Sequence, residues 1–136
     1  QMQSKKPTYK KPFETIDRYE ESTWVGNDKP IFENDYCAVF NDRYPVVEGH
    51  LLFIAKKNDP DTVAESYKLA YSWGEKWIKE GKMDGFNVGQ NIGRAAGQSI
   101  FWPHIHFIPR KVNDYEGDAH NGIRLSIPSG DHGNYY

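Results

Sequence analysis

The sequence predicts an α+β domain, an antiparallel β-meander with one main helix packed on the sheet. Three observations carry that expectation. Apolar or aromatic runs of strand length recur at IFENDYCAVFN (31–41), HLLFIA (50–55), GFNVGQ (85–90) and QSIFWPHIHFIPR (98–110). A single long stretch after residue 62 switches to the 3, 4 spacing of one helical face. No internal repeat divides the 136 residues, a length that suits one core better than two.

The elements follow in order. Residues 1–12 read as a polar tail with Lys5, Lys6, Lys10 and Lys11, and residues 13–136 as a single domain. Asn34-Asp35 is a turn between a short extended piece and YCAVF (36–40), which is strand-like by its aromatic and β-branched content. After the loop DRYPVVEG (42–49), HLLFIA is positioned to pair with it antiparallel. Asn58, Asp59, Pro60, Asp61 and Thr62 supply cap residues and a first-turn proline. Beyond them Val63, Tyr67, Ala70, Tyr71, Trp77 and Ile78 form a core-facing stripe. Gly74 is a mild interior cost and Gly81 a C-cap. GFNVGQ and QSIFWPHIHFIPR are the last two extended segments, joined by the glycine-bearing turn NIGRAAG (91–97). After Lys111 the chain is polar, apart from a short apolar patch at 123–127.

Composition removes several classes. Mean hydropathy is -0.81, and no apolar run approaches the roughly 18 residues of a membrane span. The lysine-rich start has no apolar segment behind it, so no secretory signal is expected there. Cys37 is the single cysteine, which excludes an internal disulfide and fits a reducing compartment, so a cytoplasmic location is expected. With 17 basic and 19 acidic residues the net charge is -2, so no broad basic face recognises a nucleic-acid duplex. A polyanion would have to be held at one local site.

Histidines mark such a site. On a strand His104 and His106 point the same way, with Cα atoms roughly 6.6 Å apart. Trp102 and Ile108 share their face, while Phe101, Ile105 and Phe107 take the other. Two such imidazoles can bracket a phosphate, one attacking phosphorus while a protonated partner donates to its oxygens. The same spacing fits a catalytic zinc held by His50, His104 and His106, or histidines satisfied within a fold. H-x-H alone does not choose among the three.

The surroundings do. GQSIFWPHIHFIPR (97–110) resembles the signature of the histidine triad (HIT) superfamily, G-Q-S/T-V-x-H-x-H-x-H-x-x-P-R. ENDYCAVFNDRYPVVEGHLLFIAKK (33–57) resembles its N-terminal half. GFNVGQNIGRAAGQ (85–98) resembles its hairpin, and NGIRLSIP (121–128) an element of bacterial-type members such as diadenosine tetraphosphate hydrolases. The resemblance covers about residues 31–128. Two departures stand out: Trp102-Pro103 replaces the first triad histidine and its neighbour, and His120-Asn121 stands where bacterial-type members often carry Arg-Gly. Indole only donates, so the hydrogen-bond network around the nucleophile must differ. Proline before His104 suggests an edge strand or a locally broken ladder at that point.

The resemblance implies a nucleotidyl hydrolase or transferase acting on dinucleoside polyphosphates or nucleoside phosphoramidates, with a nucleotide-binding module of little catalysis as the alternative. It implies that His104 attacks the α-phosphorus, His106 holds a non-bridging oxygen and His50 sits close by. The Gly97 carbonyl is expected to fix the His104 tautomer. Asn91, Gln98 and Ser99 are expected to donate to phosphate and leaving group, and Asp42 to accept from ribose. Ile31, Phe32, Phe40 and Leu52 are candidates to clamp the base, implied to be adenine. No carboxylate cluster for magnesium accompanies the histidines, so no metal or cofactor is expected. A homodimer is implied as well.

Overall fold

The structure, a computed structural model, describes residues 15–115 and 121–133. The tail expected at 1–12 and His120 lie outside them. Strands β1 (Phe32–Glu33), β2 (Cys37–Asn41), β3 (Leu51–Ala55), β4 (Gly85–Gly89) and β5 (His104–Arg110) form one antiparallel sheet in the order β1-β2-β3-β5-β4. Helix α1 (Pro60–Lys79) links β3 to β4. The last hairpin enters the sheet reversed. β5 therefore lies between β3 and β4, and the histidine strand is central rather than an edge.

Local chemistry fixes the elements. Asn34 Oδ1 accepts from the N–H groups of Tyr36 and Cys37, each at 2.9 Å, and so closes the β1–β2 turn. Asp59 Oδ1 accepts from Thr62 N–H at 2.8 Å and caps α1, with Pro60 in the first turn. Gly81, at φ +76°, follows the helix end. The segment 98–110, read as extended throughout, is a strand only from His104. Pro103 has no N–H to add to the ladder, although its carbonyl still accepts from Ala55 N–H at 3.2 Å. The apolar patch at 123–127 forms a short 3-10 turn, Ile123–Ser126, and leaves Ile123 and Ile127 exposed.

Alternation along β2, β3 and β5 divides the core between two faces. Cys37, Val39, Leu51, Phe53, Ile105 and Phe107 pack under α1 against Val63, Tyr67, Ala70, Trp73 and Trp77. Two members of the expected stripe, Tyr71 and Ile78, are exposed, and Trp73 takes the inner position instead. Gly74 is more than a tolerated cost: a Cβ there would lie 2.3 Å from the Phe86 ring. The missing side chain is what lets α1 approach β4.

On the opposite face Ala38, Phe40, Leu52 and Ile54 are covered by Trp24, Ile100 and Trp102. Trp24 comes from the segment before β1, which the sequence pattern left without an assignment. Arg43 ties that segment down, with Nε 2.9 Å from Asp28 Oδ2 and Nη2 donating to the Thr23 carbonyl at 3.0 Å. No helix among the described residues is long and apolar enough to cross a membrane.

Candidate active site

The second face carries the histidines. His104 pairs with Ile54 and His106 with Leu52 across β3–β5, so both rings emerge beside that apolar cluster. His50 stands just before β3, and its N–H bonds to the Val47 carbonyl at 3.1 Å. The His104 and His106 ring centroids are 5.5 Å apart, and those of His50 and His106 are 5.2 Å apart. The three histidines expected together are together.

Hydrogen bonds assign their tautomers. His104 Nδ1 lies 2.6 Å from the Trp102 carbonyl, an acceptor, so Nδ1 carries the proton and Nε2 keeps its lone pair. The sequence reading gave this role to the Gly97 carbonyl. Trp102 takes it because the chain breaks at Pro103 and folds residue 102 back toward the ring. Its indole N–H donates to the Ala55 carbonyl at 2.7 Å, which anchors that fold. The residue in place of a triad histidine thus sets the His104 tautomer through its backbone.

His50 is set from the other side. Val46 N–H donates to His50 Nδ1 at 3.1 Å, so in the neutral ring Nε2 carries the proton. That Nε2 lies 2.9 Å from His106 Nδ1 and 3.3 Å from Asp42 Oδ2. His106 Nδ1 then accepts, and its proton sits on Nε2. His106 can therefore donate to a ligand while neutral.

The electrostatics favour neutral rings. Burial pushes His104 down to about 4, helped by its neighbour His106 and opposed by the Trp102 carbonyl and Asp42. Burial also lowers His50 and His106, and Asp42 opposes both shifts. The protonated donor expected beside the nucleophile is thus a neutral N–H donor in the free site. The unfolded chain protonates His104 near 6.5, so this residue favours the folded state above that pH. The advantage fades as pH falls from about 6.5 toward 4.

The remaining candidates are spread more widely. Asp42, expected at ribose, turns to the histidines: Oδ2 is 3.3 Å from His50 Nε2 and 3.9 Å from His106 Nδ1. Its Oδ1 accepts from Tyr44 N–H at 2.8 Å. Gln98 braces its loop, accepting from Gly93 N–H at 2.8 Å and donating to the Ile100 carbonyl at 3.0 Å. Asn91, Gly97 and Ser99 are exposed on the same loop. Gly97 is left-handed at φ +92° and closes the short turn Arg94–Ala96. Among the base-clamp candidates, Ile31 is exposed, whereas Phe40 and Leu52 are buried on the histidine face. Phe32 does not join them, because its ring meets Trp73 on the helix side.

Two features escaped the sequence reading. Trp24 is 1% exposed, and its ring centroid lies 5.1 Å from that of His104. The only local sign of it was a tryptophan in a stretch of mostly charged and small residues. The second is the grouping of Asp42, itself a residue expected in the site, with His50 and His106, in which one donor atom of each lies within 4.8 Å of the others. This set differs from the zinc trio considered above, with Asp42 in place of His104. Its bonding suits a shared proton better than a cation. A metal on His50 Nε2 would require the ring proton to move to Nδ1, against the Val46 N–H.

Comparison with known proteins fits this arrangement. The HIT domain matches residues 25–113, well over half of the chain. The chain belongs to the HIT domain family. Among the HIT relatives, an adenylylsulfatase of Arabidopsis thaliana is 36% identical over 91 residues, covering 62% of this chain and 46% of that protein. An adenosine 5'-monophosphoramidase of Saccharomyces cerevisiae is 33% identical over 102 residues, covering 73% of this chain and 61% of the yeast protein. The chain therefore spans about half to three fifths of these two relatives. A crystal structure of a hypothetical histidine triad nucleotide-binding protein from Sulfolobus tokodaii superposes with a TM-score of 0.52 at 41% identity. That match covers 64% of this chain and 60% of the other.

Proposed function

We propose that this HIT protein is a nucleotidyl hydrolase or transferase that cleaves a nucleotide conjugate at its α-phosphate through a nucleotidyl-His104 intermediate. The observation carrying the reading is the Nδ1–H of His104 fixed on the Trp102 carbonyl at 2.6 Å. This leaves an unprotonated Nε2 as the nucleophile. His106 presents an N–H to a non-bridging oxygen, and His50 orients His106. Asn91 and Ser99 supply neutral donors toward phosphate and leaving group, on the loop that Gly97 turns and Gln98 braces. No step calls for a metal. The names of the plant and yeast relatives point to nucleoside sulfates and phosphoramidates as the substrate class, with adenine as the base.

A second reading, a nucleotide binder with little turnover, is favoured by one feature: His104 is 6% exposed beneath Trp24. We take the catalytic reading because the Trp102 carbonyl occupies His104 Nδ1 and leaves the lone pair on Nε2, in a ring beside His106. We further propose a cytoplasmic homodimer joined along the β4 edge, beside which Tyr71 is exposed against Phe86.

The test is turnover of adenosine 5'-phosphoramidate and diadenosine tetraphosphate, with and without chelator, beside calorimetry with AMP. The enzyme reading predicts AMP release that chelator does not alter. AMP binding without turnover of either substrate supports the binder, and activity lost to chelator removes the metal-free route.

A further inference from the structure

The Asp42 carboxylate is placed to do more than meet a ligand. In the neutral cluster the His50 Nε2–H points between His106 Nδ1, at 2.9 Å, and Asp42 Oδ2, at 3.3 Å. Protonating His106 would put a second N–H on its Nδ1, donor to donor with His50. His50 cannot yield by changing tautomer, because its Nδ1 already accepts from Val46 N–H. The way out is Asp42 Oδ2, 3.9 Å from His106 Nδ1, within about an ångström of hydrogen-bond length. Both imidazole N–H groups can then share that oxygen. The other carboxylate oxygen stays fixed by Tyr44 N–H, and the Asp42 side chain is 13% exposed, so the anion is held in place.

We propose that Asp42 is a positioning residue that allows His106 to become an imidazolium and so to act as the general acid for the leaving group. The inference rests on the reading of His104 as nucleophile. In the first step the His104 Nε2 lone pair forms the N–P bond. The bond from phosphorus to the leaving amine breaks, and its electron pair takes the proton from His106 Nε2, whose N–H turns from the non-bridging oxygen to the departing nitrogen in this step. The amine departs neutral, and His106 stays neutral with Nδ1–H on Asp42. In the second step water attacks phosphorus and gives its proton to His106 Nε2, while the N–P pair returns to His104. His106 is again cationic, and AMP is released.

The charged and titratable groups facing His106 are few among the described residues. His50 and Asp42 come from the loop before β3, and His104 from its own strand. The nearest arginine in sequence to Asp42, Arg43, is bound to Asp28 instead. Burial and His50 both lower His106, and Asp42 is the group that pulls the other way.

The experiment uses Asp42→Asn, which keeps an oxygen for Tyr44 N–H. Wild type and variant are compared on an adenosine alkyl-phosphoramidate, whose amine needs a proton, and on the p-nitrophenyl ester of AMP, whose phenolate does not. Each substrate is also used in 2',3'-dideoxy form. General-acid catalysis contributes about 10²–10⁴-fold, so the single-turnover rate of leaving-group release, which reads the first displacement alone, should fall by that order on the amine substrate while release from the aryl ester is nearly unaffected. The pattern should persist without ribose hydroxyls. Equal losses on both leaving groups overturn the proposal, as does a KM effect that vanishes with the dideoxy substrates, which would mark a ribose contact. A second readout needs no turnover. The His106 ring, titrated by NMR with AMP bound, should have its pKa lowered in Asp42→Asn, and an unchanged titration overturns the proposal. Wild type inert on both substrates would refute the hydrolase reading, while the titration would still decide the role of Asp42.

Discussion

His104→Ala abolishes turnover, with kcat falling by about 10⁴-fold or more, as expected when a nucleophile is removed outright. Calorimetric affinity for AMP changes little, because the substitution leaves His106 and the loop at 91–99 in place. The size of the effect follows from the absence of a substitute. His50 Nε2 carries a proton aimed at His106 and Asp42, and His106 Nδ1 is occupied by His50, so neither offers a free lone pair in the neutral site. The same geometry fixes the pH dependence. Since burial holds His104 at about 4, kcat/KM on an aryl ester that needs no acid should stay flat from about pH 8 to about pH 5. It should fall only as pH approaches 4. An acid limb near 6.5 would mean a nucleophile with an ordinary histidine pKa, and residual turnover near wild type in His104→Ala would mean that another group attacks.

Trp24→Ala should lower stability by about 3–5 kcal/mol, the range for losing a fully buried large aromatic. At this chain length that corresponds to a Tm lower by on the order of 10 °C. Trp24 is 1% exposed and belongs to the buried cluster with Phe40, Leu52 and Ile54 of the sheet and Trp102 of the loop, so its removal leaves a cavity in that cluster. His104 is affected too, since its ring touches the indole at 5.1 Å between centroids. With that cover gone, water reaches His104 and its pKa should rise toward the ordinary value. Trp24→Phe should keep most of the stability. Calorimetric unfolding of the two variants checks this, and an unchanged Tm in Trp24→Ala would show that the segment before β1 is not part of the folded core.

Much of this architecture was legible because it is written in short-range patterns. The Asp59-Pro60 start of α1, the Asn34 turn and the alternation that puts His104 and His106 on one face need only neighbours a few residues away. What sequence reasoning missed depends on contacts between distant segments. Trp24 meets His104 across 80 positions, and nothing near Trp24 announces it. Asp42 and His106 are brought together only by the pairing of β3 with β5. Gly74 looked dispensable until Phe86 was placed against it. The Trp102 substitution was visible as a departure, yet its effect was not. The consequence lies in the backbone carbonyl, which no side-chain pattern reveals, while the indole is used to hold Ala55.

Turnover through a nucleotidyl-His104 intermediate takes two displacements at phosphorus, the first by His104 and the second by water. Its most direct test is the stereochemical course of hydrolysis of a nucleotide conjugate chiral at the α-phosphorus by sulfur substitution, run in isotopically labelled water. Two in-line displacements predict net retention of configuration. Net inversion would mean that water attacks the substrate directly and would contradict the nucleotidyl-histidine route.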